Sequence, residues 1–263
     1  MTSDDPQLVR ARTEQGVTTL TLDSPHNRNA LSTPLMTRLR EQLAAAVADP
    51  AVRVVLLDHA GPVFCSGADL AETEAARKAG TMPVAMLADL LAEVWECPKP
   101  VVVRVAGPAR AGGIGLIAAA DLAICATDTT FAFTEVRLGV VPAVISAVVL
   151  PLLSHRAAAR LYLTGEVFDA EHAATAGLIT EAVPATQLDA AVAGVCQALV
   201  RGAPAALAGA KQLLRRPRAT HLRAELAELS ALSVGYFRSD DAREGIAAFR
   251  DKRDPQWVLD AHR

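Results

Sequence analysis

An α/β core followed by an almost wholly helical C-terminal region is what this 263-residue sequence predicts, and three observations carry the prediction. Residues 52–57 (VRVVLL) and 101–106 (VVVRVA) are nearly continuous apolar runs, the pattern of strands covered on both faces. Helical patterns separate these runs, and strands alternating with helices build an α/β layer. From Arg156 onward the texture changes to Ala-rich helical segments.

Taken in order, residues 17–22 (VTTLTL) are rich in β-branched side chains and read as a strand, which ends at the turn-rich SPHNRN of 24–29. Thr33 and Pro34 predict an N-cap and a proline in the first turn of a helix. That helix carries Leu35, Leu39, Leu43 and Val47 on one face and stops at Asp49-Pro50. After the strand at 52–57, a helical pattern covers 83–97, and another starts near Gly113, beyond the strand at 101–106. Residues 122–126 (LAICA) repeat the strand signature more weakly. Helices are predicted at 187–201, 204–214 and 222–237, and Arg201-Gly202-Ala203-Pro204 interrupts the first two. The boundary falls there: an α/β core over 1–200 and a helical region over 201–263.

Composition limits the function. Hydrophobic residues make up 51% and aromatics 4%, so the core must be built mainly from Ala, Val and Leu. A net charge of -3 gives no electrostatic reason to expect nucleic acid or an anionic membrane. Lys211, Arg215, Arg216 and Arg218 cluster, which reads as a solvated helix face, with a subsite for a phosphorylated ligand as the sharper alternative. Cysteines 65, 97, 125 and 196 form no C-x-x-C pair, so a reducing compartment is expected. The N-terminus lacks the order of a signal peptide. The longest apolar run, 140–153, is too short and too interrupted by Pro142 and Pro151 to span a bilayer. A cytoplasmic protein without a membrane segment is expected.

Neither a nucleophile elbow, a zinc-protease motif, a P-loop nor a dinucleotide fingerprint is present; Gly112, Gly113 and Gly115 are too closely spaced for the last. The six histidines show no ligand spacing, so no metal is expected. Two loops, 59–69 and 107–113, each follow a buried strand and precede a helix. Such a junction exposes N–H groups that the first helical turn cannot satisfy, at the end where the dipole favours negative charge. Small residues at Gly67-Ala68 and Ala111-Gly112-Gly113 would let a ligand oxygen come close. If the junctions face one another they form an oxyanion hole, in which one donor is worth about 3–4 kcal/mol. If they do not, the glycines only permit tight turns.

The segments FCSGAD (64–69), KPVVVRVAG (99–107), Ala111-Gly112-Gly113, DLAI (121–124) and EVRLG (135–139) occur in that order. Asn29-Ala30-Leu31 precede them; Leu163-Thr164-Gly165, Ala176-Gly177-Leu178 and EGIAAFRDKR (244–253) follow. From about Val17 to its end the chain strongly resembles the enoyl-CoA hydratase/isomerase (crotonase) superfamily. The resemblance implies a crotonase-like spiral of ββα units, with residues 201–263 as a helical trimerisation region, in a homotrimer or a dimer of trimers. It implies an acyl-CoA thioester as substrate, with coenzyme A part of that substrate and no separate cofactor. By position, the amides of Ala68 and Gly112 would hold the thioester oxygen. Ala30, Ser66, Asp69, Leu70 and Gly113 would line the substrate site, and Arg28, Phe249 and Lys252 would contact coenzyme A.

Glu135 matches a glutamate that moves protons in family hydratases. Gly115 is a departure, because two-glutamate hydratases carry their second carboxylate there. Hydration by Glu135 alone is the favoured expectation. The alternatives are a Δ3,Δ2-enoyl-CoA isomerase, another acyl-CoA enolate enzyme, or a non-catalytic acyl-CoA binder. Ser66, Arg110 and Ser146 are candidates for holding water or a polar acyl group. A Cys65–His59 nucleophile pair is rejected, since the family needs no covalent step.

Overall fold

The computed structural model describes residues 8–79, 84–215 and 221–257. The chain begins with an antiparallel hairpin of β1 (Val9–Glu14) and β2 (Val17–Leu22), turned by Gln15 and Gly16, both at positive φ. Helix α1 (Thr33–Ala48) buries Leu35, Leu39 and Leu43, the face expected from their spacing. Its N-cap is Ser32 rather than Thr33: the Ser32 hydroxyl accepts from Leu35 N, while the N–H and hydroxyl of Thr33 both bond Glu72.

The spiral arises from a repeated strand–turn–strand–helix unit. Strand β3 (Val54–His59) is followed by a loop, α2 (Leu70–Ala79) and α3 (Val84–Glu96). Then β4 (Val101–Val105), β5 (Ala109–Arg110) and α4 (Gly112–Ala119) form one unit, and β6 (Leu122–Ala126) and β7 (Thr130–Ala132) begin the next. The first strand of each unit joins a six-stranded sheet of order β1-β2-β3-β4-β6, completed by β9 (Glu181–Val183). The second strand of each unit joins another layer, where Cys65 bridges Ala109 and Ala109 pairs with Phe131. Between β7 and β9 come α5 (Ala143–Val149), α6 (His155–Thr164), β8 (Phe168–Asp169) and α7 (Ala170–Ala176), and β8 closes the second layer against β7.

The near-continuous apolar runs follow from this layering. Val54, Val102, Ile124 and Val183 face one way and pack with Leu188, Val192 and Cys196 of α8 (Leu188–Val200). Their neighbours Val55, Val101, Val103 and Val105 point the other way into the main core. The last helices are α9 (Pro204–Arg215), α10 (Leu222–Phe237) and α11 (Asp240–Arg250). Leu222 and Leu226 of α10 are buried in the main core, so this helix shares the core of the preceding residues.

The basic cluster on α9 is not a solvated face. Lys211 is only 6% exposed, its ammonium lies 2.6 Å from Asp121 Oδ2, and Arg215 reaches Asp121 Oδ1 at 2.6 Å while stacking over Trp95. These charges dock α9 onto the start of β6. Arg216 and Arg218 lie outside the described residues. All four cysteines are buried free thiols, and among the described residues no single helix is long and apolar enough to cross a membrane.

Candidate active site

The two strand–loop–helix junctions meet. Phe64 N and Cys65 N donate to Pro108 O at 3.1 and 3.4 Å, and Arg110 N donates to Cys65 O at 2.9 Å, which lays the loop after β3 along β5. Contact continues to the glycines. Gly67 has φ +94° and its ideal Cβ would lie 2.9 Å from Ala111 Cβ, so both its backbone conformation and its neighbour require glycine. A Cβ on Gly113 would meet Cys65 Cβ at 2.7 Å. Gly113 is therefore a packing residue of α4 against Cys65, and it does not line the cavity described next.

A cavity of about 730 Å³ opens where the junctions meet. Ala68 lines it from the loop before α2, and Gly112 from the first position of α4. Among the described residues neither N–H has a backbone acceptor. For Gly112 this follows from its place in the first helical turn. For Ala68 it follows from its bridge to Leu31, in which Leu31 N donates to Gly67 O at 2.7 Å and leaves the Ala68 N–H unused. Ala111, just before α4, has φ +47°, a strained value for a residue with a side chain, at the point where the chain turns to present the Gly112 amide.

Glu135 lines the same cavity. Strand β7 runs through Phe133 into a short 3₁₀ turn, Thr134–Leu138, closed by Gly139 in the left-handed region. Glu135 is 9% exposed, and among the described residues its Oε2 has no hydrogen-bond partner. Burial in apolar surroundings pushes its pKa up to about 7, against a smaller opposing pull from its own N–H. Behind it, Phe133 packs on Tyr162 with ring centroids 4.6 Å apart. Burial pushes the Tyr162 phenol up, and the nearby Glu135 charge adds to this.

The remaining expected residues divide. Arg28, Ala30 and Ser66 line the cavity with Asp69, Leu70 and Phe249. Asp69 is engaged as the cap of α2, accepting from Ala71 N and Glu72 N at 3.0 and 3.1 Å. Lys252 is exposed with φ +53° and lies outside the lining, whereas its neighbour Arg253 lines the cavity. Arg110 lines it too, but its guanidinium donates to Ala109 O, Thr130 O and Thr130 Oγ1. Ser146 is not in the lining; its hydroxyl donates to Pro142 O at 2.6 Å. Residues that sequence reasoning passed over include Arg137, inside the EVRLG segment, and Ile145, which line the cavity as well.

Two positions settle earlier questions. The ideal Cβ of Gly115 would lie 2.6 Å from Ile145 Cγ2, so the space beyond Gly115 is filled by hydrocarbon. His59 accepts from Ala106 N at 3.0 Å and packs edge-on against Phe64, and burial pushes the Cys65 thiol up to about 12. Both belong to the core beneath the loop.

Comparison with known proteins gives the family and the fold. A crystal structure of an enoyl-CoA hydratase from Mycobacterium avium is 44% identical and superposes with a TM-score of 0.87 over 95% of this chain and 99% of that one. The 2,3-dehydroadipyl-CoA hydratase of Escherichia coli (strain K12) is 30% identical over 256 residues, covering 95% of this chain and 98% of the relative. An enoyl-CoA isomerase/hydratase of Mycosarcoma maydis is 32% identical over 251 residues, covering 91% and 92%. The family model described as enoyl-CoA hydratase/isomerase matches residues 12–259, and by fold and by sequence this chain belongs to that family of enzymes.

Proposed function

We propose that the chain is a one-carboxylate enoyl-CoA hydratase. The thioester oxygen of a 2-enoyl-CoA sits between the N–H groups of Ala68 and Gly112. Glu135, ionised, takes a proton from water as that water attacks C3. Charge gathers on the thioester oxygen, where the two amides stabilise it without reorganising. Glu135 then returns the proton at C2. The observation that carries this reading is the buried Glu135 carboxyl, with a pKa of about 7 and a free Oε2, facing the cavity that holds both amides. A group titrating near the operating pH serves as base and acid in turn. Hydratase names among the relatives support the same reaction.

Coenzyme A belongs to the substrate in this reading, and no separate cofactor takes part. Arg28 and Phe249, both exposed and both lining the cavity, would contact the carrier. The assembly in this reading is a homotrimer or a dimer of trimers, for which exposed Leu150, Leu152, Leu163 and Val167 offer apolar contact surface.

A second reading is double-bond isomerisation, favoured by Ile145 in the space beyond Gly115. With no side chain there to grip water, Glu135 would remove a proton from C2 of a 3-enoyl-CoA and return it at C4. The test follows the absorbance of the conjugated thioester, with products identified by mass. Loss on adding 2-enoyl-CoA substrates supports hydration, and appearance from a 3-enoyl-CoA supports isomerisation. Neither change, with folded protein across several chain lengths, overturns both and leaves another acyl-CoA enolate reaction or an acyl-CoA binder, which the product masses separate.

A further inference from the structure

Arg28 and Asn29 are consecutive non-glycine residues at positive φ, +59° and +52°. Asn29 tolerates this conformation better than most side chains, while arginine has no such preference, so two in succession mark a backbone held by its surroundings. Asn29 is 0% exposed, and both N–H donors and the oxygen of its amide are engaged. Its Oδ1 accepts from Ser24 N at 2.7 Å, and its Nδ2 donates to Ala60 O and to Val63 O, each at 2.9 Å.

The main chain around the kink completes the pattern. Arg28 O accepts from Ser66 N at 3.1 Å, and Leu31 N donates to Gly67 O at 2.7 Å. The Asn29 side chain thus fixes the loop at 60 and 63, and the backbone on either side of it fixes the loop at 66 and 67. The next residue is Ala68. On the far side the same loop is tied to Pro108 and Arg110, so its position also sets the spacing to Gly112.

We propose that Asn29 is the positioning residue of the Ala68 amide, holding it at the distance from Gly112 that the thioester oxygen requires. This rests on the reading of those amides given under Proposed function. Asn29 itself touches no substrate; its kink and its three hydrogen bonds aim the donor.

The experiment compares wild type, Asn29→Asp and Asn29→Gly as full-length proteins. Asn29→Asp keeps the acceptor for Ser24 N and replaces the two donations by a carboxylate facing two carbonyls. Asn29→Gly keeps the backbone conformation without strain, which decides the matter if the aspartate variant fails to fold. Read-outs are kcat and KM, and the carbonyl stretch of a bound ¹³C-labelled acyl-CoA by difference infrared spectroscopy. The expected result is a kcat on the order of 10–100-fold lower with little change in KM, somewhat short of losing an oxyanion donor outright. The carbonyl band should move back toward its free value, while the pH transition set by Glu135 stays put. A folded variant with unchanged kcat and carbonyl band, or one in which only the melting temperature falls, overturns the proposal. An unshifted carbonyl band in wild type would instead overturn the parent reading.

Discussion

Gly245 of α11 lies against the main chain of Leu138, so close that a Cβ added to it would sit 2.5 Å from the Leu138 carbonyl carbon. Leu138 ends the 3₁₀ turn that carries Glu135, so the C-terminal helix forms the backing of the carboxylate's turn. Gly245→Ala is expected to cost about 1–3 kcal/mol through overpacking. It should also displace Glu135, so that kcat in the folded variant falls further than KM rises. Urea titration and steady-state kinetics check the two effects.

Glu135→Gln should lower turnover on the order of 10²–10⁴-fold, the usual contribution of a general acid–base group, and leave acyl-CoA affinity nearly unchanged. Calorimetric binding of a saturated acyl-CoA beside the turnover assay separates the two. Retained turnover would remove Glu135 from the chemistry.

The pH dependence has a definite sign. Folding raises the Glu135 pKa from 4.5 to about 7, chiefly by burial, so the folded chain keeps a proton that the unfolded chain releases. Its contribution to stability is fully present below about pH 4.5 and is lost as pH rises through about 7, roughly 3 kcal/mol in all. Urea titrations at pH 5 and pH 8 should therefore show Glu135→Gln gaining on wild type at the higher pH. On the proposed hydration, in which the carboxylate acts first as base, kcat/KM should rise through a single ionisation near 7.

Gly115→Glu alone should not create a second carboxylate in the site. Ile145 and, at 3.4 Å, Leu91 Cδ1 occupy its path, so the variant loses at least about 1–3 kcal/mol by overpacking. Ile145→Ala opens that path, and the double variant should be less destabilised than the two single changes added together, with a coupling of about 0.5–3 kcal/mol. Thermal or urea unfolding of all four proteins completes the cycle.

Asp121→Asn leaves the buried Lys211 and its neighbour Arg215 without their counter-charge. Burial already pushes the Lys211 pKa down even with Asp121 in place. A loss of about 3–5 kcal/mol is expected, the usual cost of breaking a buried pair from one side. Hydrogen exchange should place the largest loss of protection in α9.

Much of the α/β core was legible because burial on both faces leaves a continuous apolar run. Val54 and Val55 face opposite layers, as do Val102 and Val103, so neighbouring positions are both hydrophobic. The opposite case is β1, an edge strand with only Val9 buried, whose VRARTE sequence carries no pattern to read. Strands β5 and β8 have two residues each, too few for any period. Lys211 looked like a solvated cation because its partner, Asp121, is brought to it only by the fold. Glu135 came from resemblance, since the burial that raises its pKa is assembled from residues far along the chain. Lys252 and Arg253 show the same limit on a one-residue scale: a left-handed turn at the end of α11 sends one to solvent and the other to the cavity.

The four buried thiols give the chain an internal unfolding reporter. Burial pushes Cys65 up to about 12 and Cys196 up to about 11, so at neutral pH their reactive anions are scarce, and the fold also shuts reagents out. A disulfide dye added to the native protein should register almost nothing, and the rate at which its colour develops would measure how often each layer opens. Cys65 lies beneath the Ala68 loop and Cys196 beneath the opposite face of the large sheet, so labelling followed by peptide mapping would time the opening of the two faces separately.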